Sequence, residues 1–236
     1  KKDQEIVIAS KGIEIKSSLL LSDVIKEFNF NKKISVLSGP CFSEEVSQNL
    51  PTAITLATEN KESFELIKSL ISNKKFRMYY SDDLIGCQIG GALKNIYAIA
   101  AGITIGLNLG ENAKSAIITR SFIEIARFSK LFGAKKETIF GLSGLGDLIL
   151  TCNSIKSRNT KFGRDIATTN NFNVDDVLKS GEVIEGYFSA EAVNKIANEK
   201  KIDMPIMKSV YNILYNNTSI KKEIKNLLER PMIDEF

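Results

Sequence analysis

Apolar residues follow two different patterns on either side of residue 81. Before it, short runs rich in β-branched and aromatic residues alternate with amphipathic segments, which is typical of an α/β sheet. The predicted strands are Glu5–Ala9, Ile34–Leu37, Ala53–Ala57 and Phe76–Tyr80, and the predicted helices are Ser18–Phe28, Glu44–Asn49 and Lys61–Ile71. This alternation predicts a parallel or mixed sheet.

From Leu84 onward the spacing of apolar residues is helical. The predicted helices are Leu84–Leu107, Asn112–Phe132, Lys161–Ala167, Val174–Lys179, Ala190–Lys200, Ile206–Tyr215 and Ile220–Leu228. Pro205 suits the first turn of the helix it opens, and Ser81-Asp82-Asp83 offers a cap for the long helix after it. We therefore expect an α/β domain over residues 1–81, followed by an all-α domain over residues 82–236.

The first helix of the second segment is apolar on nearly every face and contains one lysine, Lys94. Burial of an ammonium is costly unless it is paired, and it lowers the pKa. A lysine of lowered pKa can exchange protons near neutral pH. Because Gly90, Gly91 and Ala98 lie one turn away on the same face, we expect room there for a small substrate. A lysine that snorkels or forms a structural ion pair is the alternative.

Composition narrows the possible chemistry. A hydrophobic content of 43% with 25% charged residues is ordinary for a soluble globular protein. Because the chain has no histidine, acid–base chemistry falls to other side chains, and a metal site is not expected. The widely spaced Cys41, Cys87 and Cys152 favour reduced thiols in a cytosol. The net charge of +4 is small, and most lysines are interleaved with acidic residues, which disfavours nucleic-acid binding. The apolar run after Leu84 is interrupted by polar residues and is a poor membrane span.

Polar loops follow two of the predicted strands, Ser10-Lys11-Gly12 after the first and Ser38-Gly39-Pro40-Cys41 after the second. Ligands of open α/β sheets bind at the carboxyl ends of strands. Both loops can present backbone N–H groups, and Lys11 adds a cation suited to a phosphate or carboxylate. Ordinary turns would use the same residue types, so this alternative stays open.

Two loops of the helical segment carry further candidates. In residues 141–148, three glycines precede Asp147, whose carboxylate is expected either to pair with Lys94 or a substrate hydroxyl, or to cap the next helix. Ser157-Arg158-Asn159-Thr160 places hydroxyl, guanidinium and amide donors just before a predicted helix. A helix N-terminus beside an arginine favours an anion such as phosphate. Ordinary capping in an exposed loop is the alternative.

Taken together and in this order, several stretches resemble bacterial NAD(P)-dependent glycerol-3-phosphate dehydrogenase. They are Ala9-Ser10-Lys11-Gly12-Ile13-Glu14, Ser38-Gly39-Pro40, Leu50-Pro51-Thr52-Ala53, Gly90-Gly91-Ala92-Leu93-Lys94-Asn95, Gly144-Leu145-Gly146-Asp147-Leu148, Thr151-Cys152, Ser157-Arg158-Asn159 and Val183-Ile184-Glu185-Gly186-Tyr187. The resemblance implies the C-terminal part of a Rossmann-like sheet joined to a helical catalytic and substrate domain. It also implies NAD or NADP as cofactor and reduction of dihydroxyacetone phosphate to sn-glycerol 3-phosphate, for phospholipid synthesis. We expect a cytoplasmic homodimer.

The same resemblance implies roles for individual residues. Lys94 is similar to the catalytic lysine, and Asp147 joins it as a catalytic and substrate-binding residue. The other implied substrate contacts are Lys11, Gly39, Cys41, Ser157, Arg158 and Asn159. The implied cofactor contacts are Lys11, Ser43, Arg158, Val183 and Glu185.

The chain departs from the family pattern in three features. Position 41 is cysteine where a hydroxyl residue is usual, and position 43 is serine where alanine is usual. The glycine fingerprint Gly-x-Gly-x-x-Gly is not in this sequence, so we expect an N-terminal portion outside it and weak cofactor binding by these residues alone. Two alternatives stay open: a related dehydrogenase for another small hydroxy substrate, such as a hydroxy acid, and an inactive helical interaction module.

Overall fold

The computed structural model describes residues 4–28, 33–169, 174, 177 and 181–232. Four strands form one sheet in the order β1-β2-β3-β4, which are Ile6–Ile8, Ile34–Ser38, Thr52–Thr58 and Phe76–Ser81. The pairs β1–β2 and β3–β4 are parallel, whereas β2 and β3 are antiparallel. The predicted mixed α/β sheet is therefore confirmed.

Helices pack against the sheet and form most of the described chain after β4. In chain order they are α1 (Leu21–Glu27), α2 (Ser43–Ser47), α3 (Lys61–Ile71), α4 (Leu84–Gly106), α5 (Gly110–Leu131), α6 (Lys136–Phe140), α7 (Asp147–Cys152), α8 (Arg158–Thr168), α9 (Glu185–Glu199), α10 (Pro205–Tyr215) and α11 (Ile220–Leu228). A π-helical turn, Leu142–Gly146, connects α6 to α7. The predicted helix Val174–Lys179 lies outside the described residues except for Val174 and Val177, which pack against the main core.

Two local predictions were wrong. Residues 141–148 are not a loop but the π-helical turn and the start of α7, and α9 begins at Glu185 rather than Ala190. The glycines hid the helical turn because glycine has a low helix propensity. Here they serve close packing instead, since a Cβ on Gly144 would overlap the carbonyl oxygen of Ile139.

The helix α4 is the centre of the helical part. Ile89, Leu93, Ile96 and Tyr97 have no exposed surface, and α5, α7, α8, α9 and α10 pack around them. The predicted cap is confirmed, because Asp83 accepts a hydrogen bond from the backbone nitrogen of Gly86 at 2.8 Å. By length and composition α4 could cross a membrane, yet 89% of its apolar 18-residue segment is buried inside the protein. That burial is what a core helix requires.

Glycines let α8 cross α4 at close range. A Cβ on Gly102 would overlap the carbonyl oxygen of Thr160, and one on Gly163 would overlap that of Ile99. Thr160 Oγ1 also donates to the backbone oxygen of Thr151 at 2.7 Å, which ties the first turn of α8 to α7. The start of α8 is therefore fixed relative to the helices that carry Lys94 and Asp147.

A buried carboxylate joins α5, α4 and α10. Glu124 is 3% exposed and accepts from the hydroxyl of Tyr97 at 3.0 Å and from the backbone nitrogens of Ile206 and Met207 at 2.8 and 3.1 Å. Burial raises the pKa of Glu124 to about 7, because the loss of hydration outweighs these hydrogen bonds.

This pKa shift makes the stability of the fold depend on pH. Since the pKa is raised from 4.5 to about 7, Glu124 stabilises the folded state below pH 4.5 and that contribution is lost as the pH rises to 7. The change amounts to about 3 kcal/mol of unfolding free energy. We expect Glu124→Gln to remove it, because the amide oxygen accepts from Ile206 but does not titrate. Urea unfolding at about pH 4.5 and about pH 8 measures this difference; parallel pH profiles for the two proteins would contradict it.

Candidate active site

Polar residues from two strands meet at one edge of the sheet. Because β1 and β2 are parallel, Lys11 after β1 lies next to Ser38 and Gly39 at the end of β2, as expected. Gly39 has a φ of +148°, a conformation that favours glycine. The turn brings Pro40 beside Gly146, in the π-helical turn of the helical part.

Two lysines share one buried carboxylate at the centre of this edge. Asp147, which is 1% exposed, accepts from Lys94 Nζ through Oδ1 and from Lys11 Nζ through Oδ2 at 2.5 Å. Lys94 also donates to Thr151 Oγ1 at 2.9 Å, and Thr151 donates to the backbone oxygen of Asp147 at 2.6 Å. The carboxylate of Asp147 therefore pairs with lysine, and it makes no capping hydrogen bond at the start of α7.

The two amines differ in how strongly they hold a proton. Burial lowers the pKa of Lys94 to about 8, with a further decrease from the positive charge of Lys11, against the attraction of Asp147. Burial also acts to lower the pKa of Lys11, but the carboxylate of Asp147 outweighs it and the pKa is raised. One carboxylate compensates only one positive charge. Of the two amines, Lys94 is therefore the one whose pKa lies closer to neutral pH.

The glycines before Lys94 face neighbouring protein atoms. The carbonyl oxygen of Ser143 lies 2.5 Å from the place of a Cβ on Gly90, and Ser38 Oγ lies 3.1 Å from that of Gly91. The expectation of a hollow at these glycines was wrong, because the π-helical turn and β2 close against α4. Instead, Gly91 gives room to the side chain of Lys11, whose Cδ is 3.4 Å from the same point.

The start of α8 offers a cation, Arg158, whose charge is not balanced by an ion pair within the part of the chain that the structure describes. Ser157 is buried, and its hydroxyl caps the helix by accepting from the backbone nitrogen of Thr160 at 3.3 Å. Arg158 is exposed and forms no ion pair with any residue in the described ranges. Lys156, just before, pairs with Glu45 of α2 at 3.1 Å, so the loop before α8 lies against the α/β part. The N-terminus of α8 and the guanidinium group of Arg158 together form a favourable binding site for an anion.

The start of α9 reaches the same centre. Glu185 is half-buried and accepts from Asn95 Nδ2 at 2.8 Å, and its charge contributes to the raised pKa of Lys11. Asn159 Oδ1 accepts from the backbone nitrogen of Gly186 at 2.8 Å. Ser43 and Val183 are exposed and lie outside this network of the described residues.

Cysteine occupies position 41 beside the lysine pair. Cys41 is half-buried, and its burial raises the pKa of the thiol although Lys11 and Lys94 act in the opposite sense. It therefore offers a ligand only a neutral S–H and its backbone groups. Cys87 and Cys152 are buried free thiols.

Pattern analysis did not single out Thr151 or Asn95, although both contact the centre. Thr151 lies four residues after Asp147, on the same helix face. That signal was hidden because the segment before it was interpreted as a loop. Asn95 meets Glu185 across 90 residues of sequence, and nothing local to either residue indicates such a contact.

Unused hydrogen-bonding groups around the lysine pair suit a nicotinamide dinucleotide. Ser38 Oγ is buried and has no hydrogen-bond partner among the described residues, and Glu185 is only partly covered. The amide and hydroxyl groups of such a cofactor can donate to and accept from these atoms. Lys11 adds a positive charge at the carboxyl ends of the strands.

Comparison with known proteins agrees with this fold. The family model described as the NAD-dependent glycerol-3-phosphate dehydrogenase C-terminus matches residues 83–225, and the model of the N-terminus matches residues 1–64. The glycerol-3-phosphate dehydrogenase (NAD(P)+) of Thermotoga sp. strain RQ2 is 45% identical over all of this chain and 72% of its own length. That of Lactobacillus helveticus is 43% identical over 95% of this chain and 67% of its own.

Solved structures share the fold. The crystal structure of glycerol-3-phosphate dehydrogenase from Coxiella burnetii aligns with a TM-score of 0.91 and 38% identity, over 96% of this chain and 69% of that one. The Saccharomyces cerevisiae enzyme aligns with a TM-score of 0.83 and 28% identity, over 96% and 68%. Fold and site define a nicotinamide-dependent oxidoreductase with a Rossmann-like part and a helical domain. The chain belongs to the NAD-dependent glycerol-3-phosphate dehydrogenase family.

Proposed function

We propose that this protein interconverts dihydroxyacetone phosphate and sn-glycerol 3-phosphate with NAD(P)H or NAD(P)+. The observation that carries the proposal is the buried amine of Lys94, which shares Asp147 with Lys11, while Arg158 at the start of α8 forms no ion pair with another described residue. A proton-exchanging amine and a separate anion site are what reduction of a phosphorylated ketone requires. An inactive interaction module would need neither, and the hydroxyl, guanidinium and amide donors of Ser157, Arg158 and Asn159 favour a phosphate over the carboxylate of a hydroxy acid.

The chemistry of the chain's own residues follows from this geometry. When bound, the reduced dinucleotide supplies the hydride. The ammonium of Lys94 donates its proton to the ketone oxygen as negative charge develops there, and in the reverse direction its neutral amine accepts the hydroxyl proton. Asp147 and Thr151 hold Lys94 in place, and Lys11 keeps the site positive.

Other groups bind and orient the substrate. Arg158, with Ser157 and Asn159, holds the phosphate at the start of α8, which fixes the reacting carbon relative to Lys94. Lys11 and Asp147 contact the remaining polar groups, with Gly39 and Cys41 at the turn after β2. The cofactor contacts are Lys11, Ser43, Arg158, Val183 and Glu185.

Broader assignments complete the proposal. Residues 1–81 form the remainder of the dinucleotide-binding domain, and residues 82–236 form the catalytic and substrate domain. The enzyme acts in the cytoplasm as a homodimer and supplies glycerol 3-phosphate for phospholipid synthesis. The family membership, the free thiols and the buried position of α4 support these assignments.

Substrate choice tests the proposed function. Oxidation of NADH and NADPH, followed by absorbance, should be faster with dihydroxyacetone phosphate than with unphosphorylated dihydroxyacetone. We expect kcat/KM to differ by at least about 100-fold, because the phosphate contacts orient the ketone. The measurement requires protein that contains these 236 residues. Equal rates with both ketones, or turnover only with hydroxy acids, would contradict the assignment.

A further inference from the structure

The first turn of α9 is capped by a residue from another helix. The residue before α9 is Ile184, whose side chain makes no capping hydrogen bond. The first backbone N–H groups of a helix need acceptors, and these usually come from a polar side chain at the cap position. Here the acceptor for the Gly186 N–H is Oδ1 of Asn159, at 2.8 Å. Asn159 in α8 thus does the work of a capping residue for α9.

A second asparagine holds the side chain at the same turn. Asn95 follows Lys94 in α4 and is 2% exposed, and its Nδ2 donates to Glu185 Oε2 at 2.8 Å. A Cβ on Gly186 would lie 2.5 Å from the carbonyl oxygen of Asn95 and 2.8 Å from Asn159 Oδ1. Glycine therefore allows α9 to approach both asparagines. We call Asn95 and Asn159 the asparagine clamp.

The clamp fixes a carboxylate close to the reacting centre. Asn95 donates a hydrogen bond to one carboxylate oxygen of Glu185. The side chain of Glu185 is only half-buried, and its negative charge helps to raise the pKa of Lys11. The negative charge of this carboxylate repels any phosphate group placed beside it, whether of the substrate or of the dinucleotide. The hydroxyl and amide donors of a dinucleotide are suitable partners for it.

We propose that the asparagine clamp positions Glu185 for the nicotinamide dinucleotide, so that Asn95 and Asn159 act on cofactor binding through Glu185. This inference rests on the proposed function for its cofactor. It makes Asn95 a positioning residue and gives Asn159 a positioning role besides its proposed contact with the phosphate, since its Oδ1 is the atom that accepts from Gly186. The segments that hold the amine and the phosphate thereby also hold the carboxylate.

A double-mutant cycle on cofactor affinity tests the link between Asn95 and Glu185. The dissociation constant of NADH is measured by fluorescence titration, without substrate, for Asn95→Ala, Glu185→Ala and the double variant. We expect each single change to raise Kd about tenfold, because a hydrogen bond to a charged group is lost or the carboxylate itself is removed. The double variant should bind no more weakly than Glu185→Ala alone. A Kd in the double variant that is raised by the product of the two single effects, or an unchanged Kd in Asn95→Ala, would overturn the inference.

A pair of variants at Asn159 gives an independent result if Asn95→Ala fails to fold. Asn159→Ala removes the acceptor for Gly186 and should raise Kd for NADH, whereas Asn159→Asp keeps an acceptor oxygen and should raise Kd less. Equal increases in both variants would contradict a role through Gly186. Asn60→Ala, which removes the cap of α3, is the matched control: it should lower the unfolding temperature without changing Kd.

These titrations need no turnover, so the two claims fail separately. If the cycle shows no coupling between Asn95 and Glu185 in protein that still reduces dihydroxyacetone phosphate, the inference about the asparagine clamp is contradicted and the proposed function stands. If the unaltered protein binds NADH but reduces no phosphorylated ketone, the proposed function is contradicted instead.

Discussion

Replacement of Lys94 by alanine should lower kcat for dihydroxyacetone phosphate about a thousandfold. The change removes both the proton donor and the positive charge that stabilises the developing oxyanion, and each contributes strongly in a buried site. The protein should still fold, because Asp147 keeps its ion pair with Lys11. Binding of the phosphorylated ligand should also remain measurable, since Arg158 is untouched. Steady-state kinetics and calorimetric titration with glycerol 3-phosphate measure the two effects.

Two further variants control this experiment. Lys94→Arg keeps a cation but cannot release a proton near neutral pH, so kcat should stay far below that of the unaltered enzyme. Lys130→Ala removes an exposed lysine of α5 and should leave kcat near normal. Near-normal turnover in Lys94→Ala would exclude the amine as the proton donor.

The second large effect is expected at the phosphate site. Arg158→Ala should raise KM for dihydroxyacetone phosphate roughly 10- to 100-fold, because a charge-assisted contact to the phosphate is lost. The loss in kcat should be smaller, since Lys94, Asp147 and Thr151 are unchanged. Initial rates over a range of substrate concentrations separate the two parameters.

An arginine elsewhere on the surface is the matched control. Arg120 is exposed on α5, and Arg120→Ala removes the same charge away from the site, so KM should not change. At saturating NADH, which offsets the loss of the proposed cofactor contact of Arg158, the Arg158→Ala variant and the unaltered enzyme should have similar kcat/KM for unphosphorylated dihydroxyacetone. An unchanged KM for the phosphorylated ketone, together with a lower kcat, would reject the phosphate role of Arg158.

Much of the catalytic centre could be predicted because its signals are local. A lysine in a helix that is apolar on every face must be buried, and a buried ammonium needs a carboxylate partner. The sequence left open whether Asp147 pairs with Lys94 or caps the next helix, and in the structure it forms an ion pair with Lys94. Likewise, Ser157 before a helical pattern indicated the start of α8, although the helix begins three residues before the predicted one.

Other parts of the site could not be predicted because they depend on distant packing. The contact of Asn95 with Glu185 and that of Asn159 with Gly186 exist only because α4, α8 and α9 meet. Gly90 and Gly91 suggested an empty space, yet a missing side chain is equally a place where neighbouring backbone fits. The roles assigned to the individual site residues stay predictions, and those of Gly39, Cys41, Ser43 and Val183 rest on the family resemblance alone.

The pH dependence of the two reaction directions tests the central claim that Lys94 carries the proton. The profile of kcat/KM for each direction reports groups of the free enzyme, and the pKa of Lys94 is about 8. Oxidation of glycerol 3-phosphate needs the neutral amine and should rise through pH 8, whereas reduction of dihydroxyacetone phosphate needs the ammonium and should fall through the same range. Opposite profiles with a common midpoint are the predicted result. Profiles that are flat across this range, or that change in the same direction, would contradict the account.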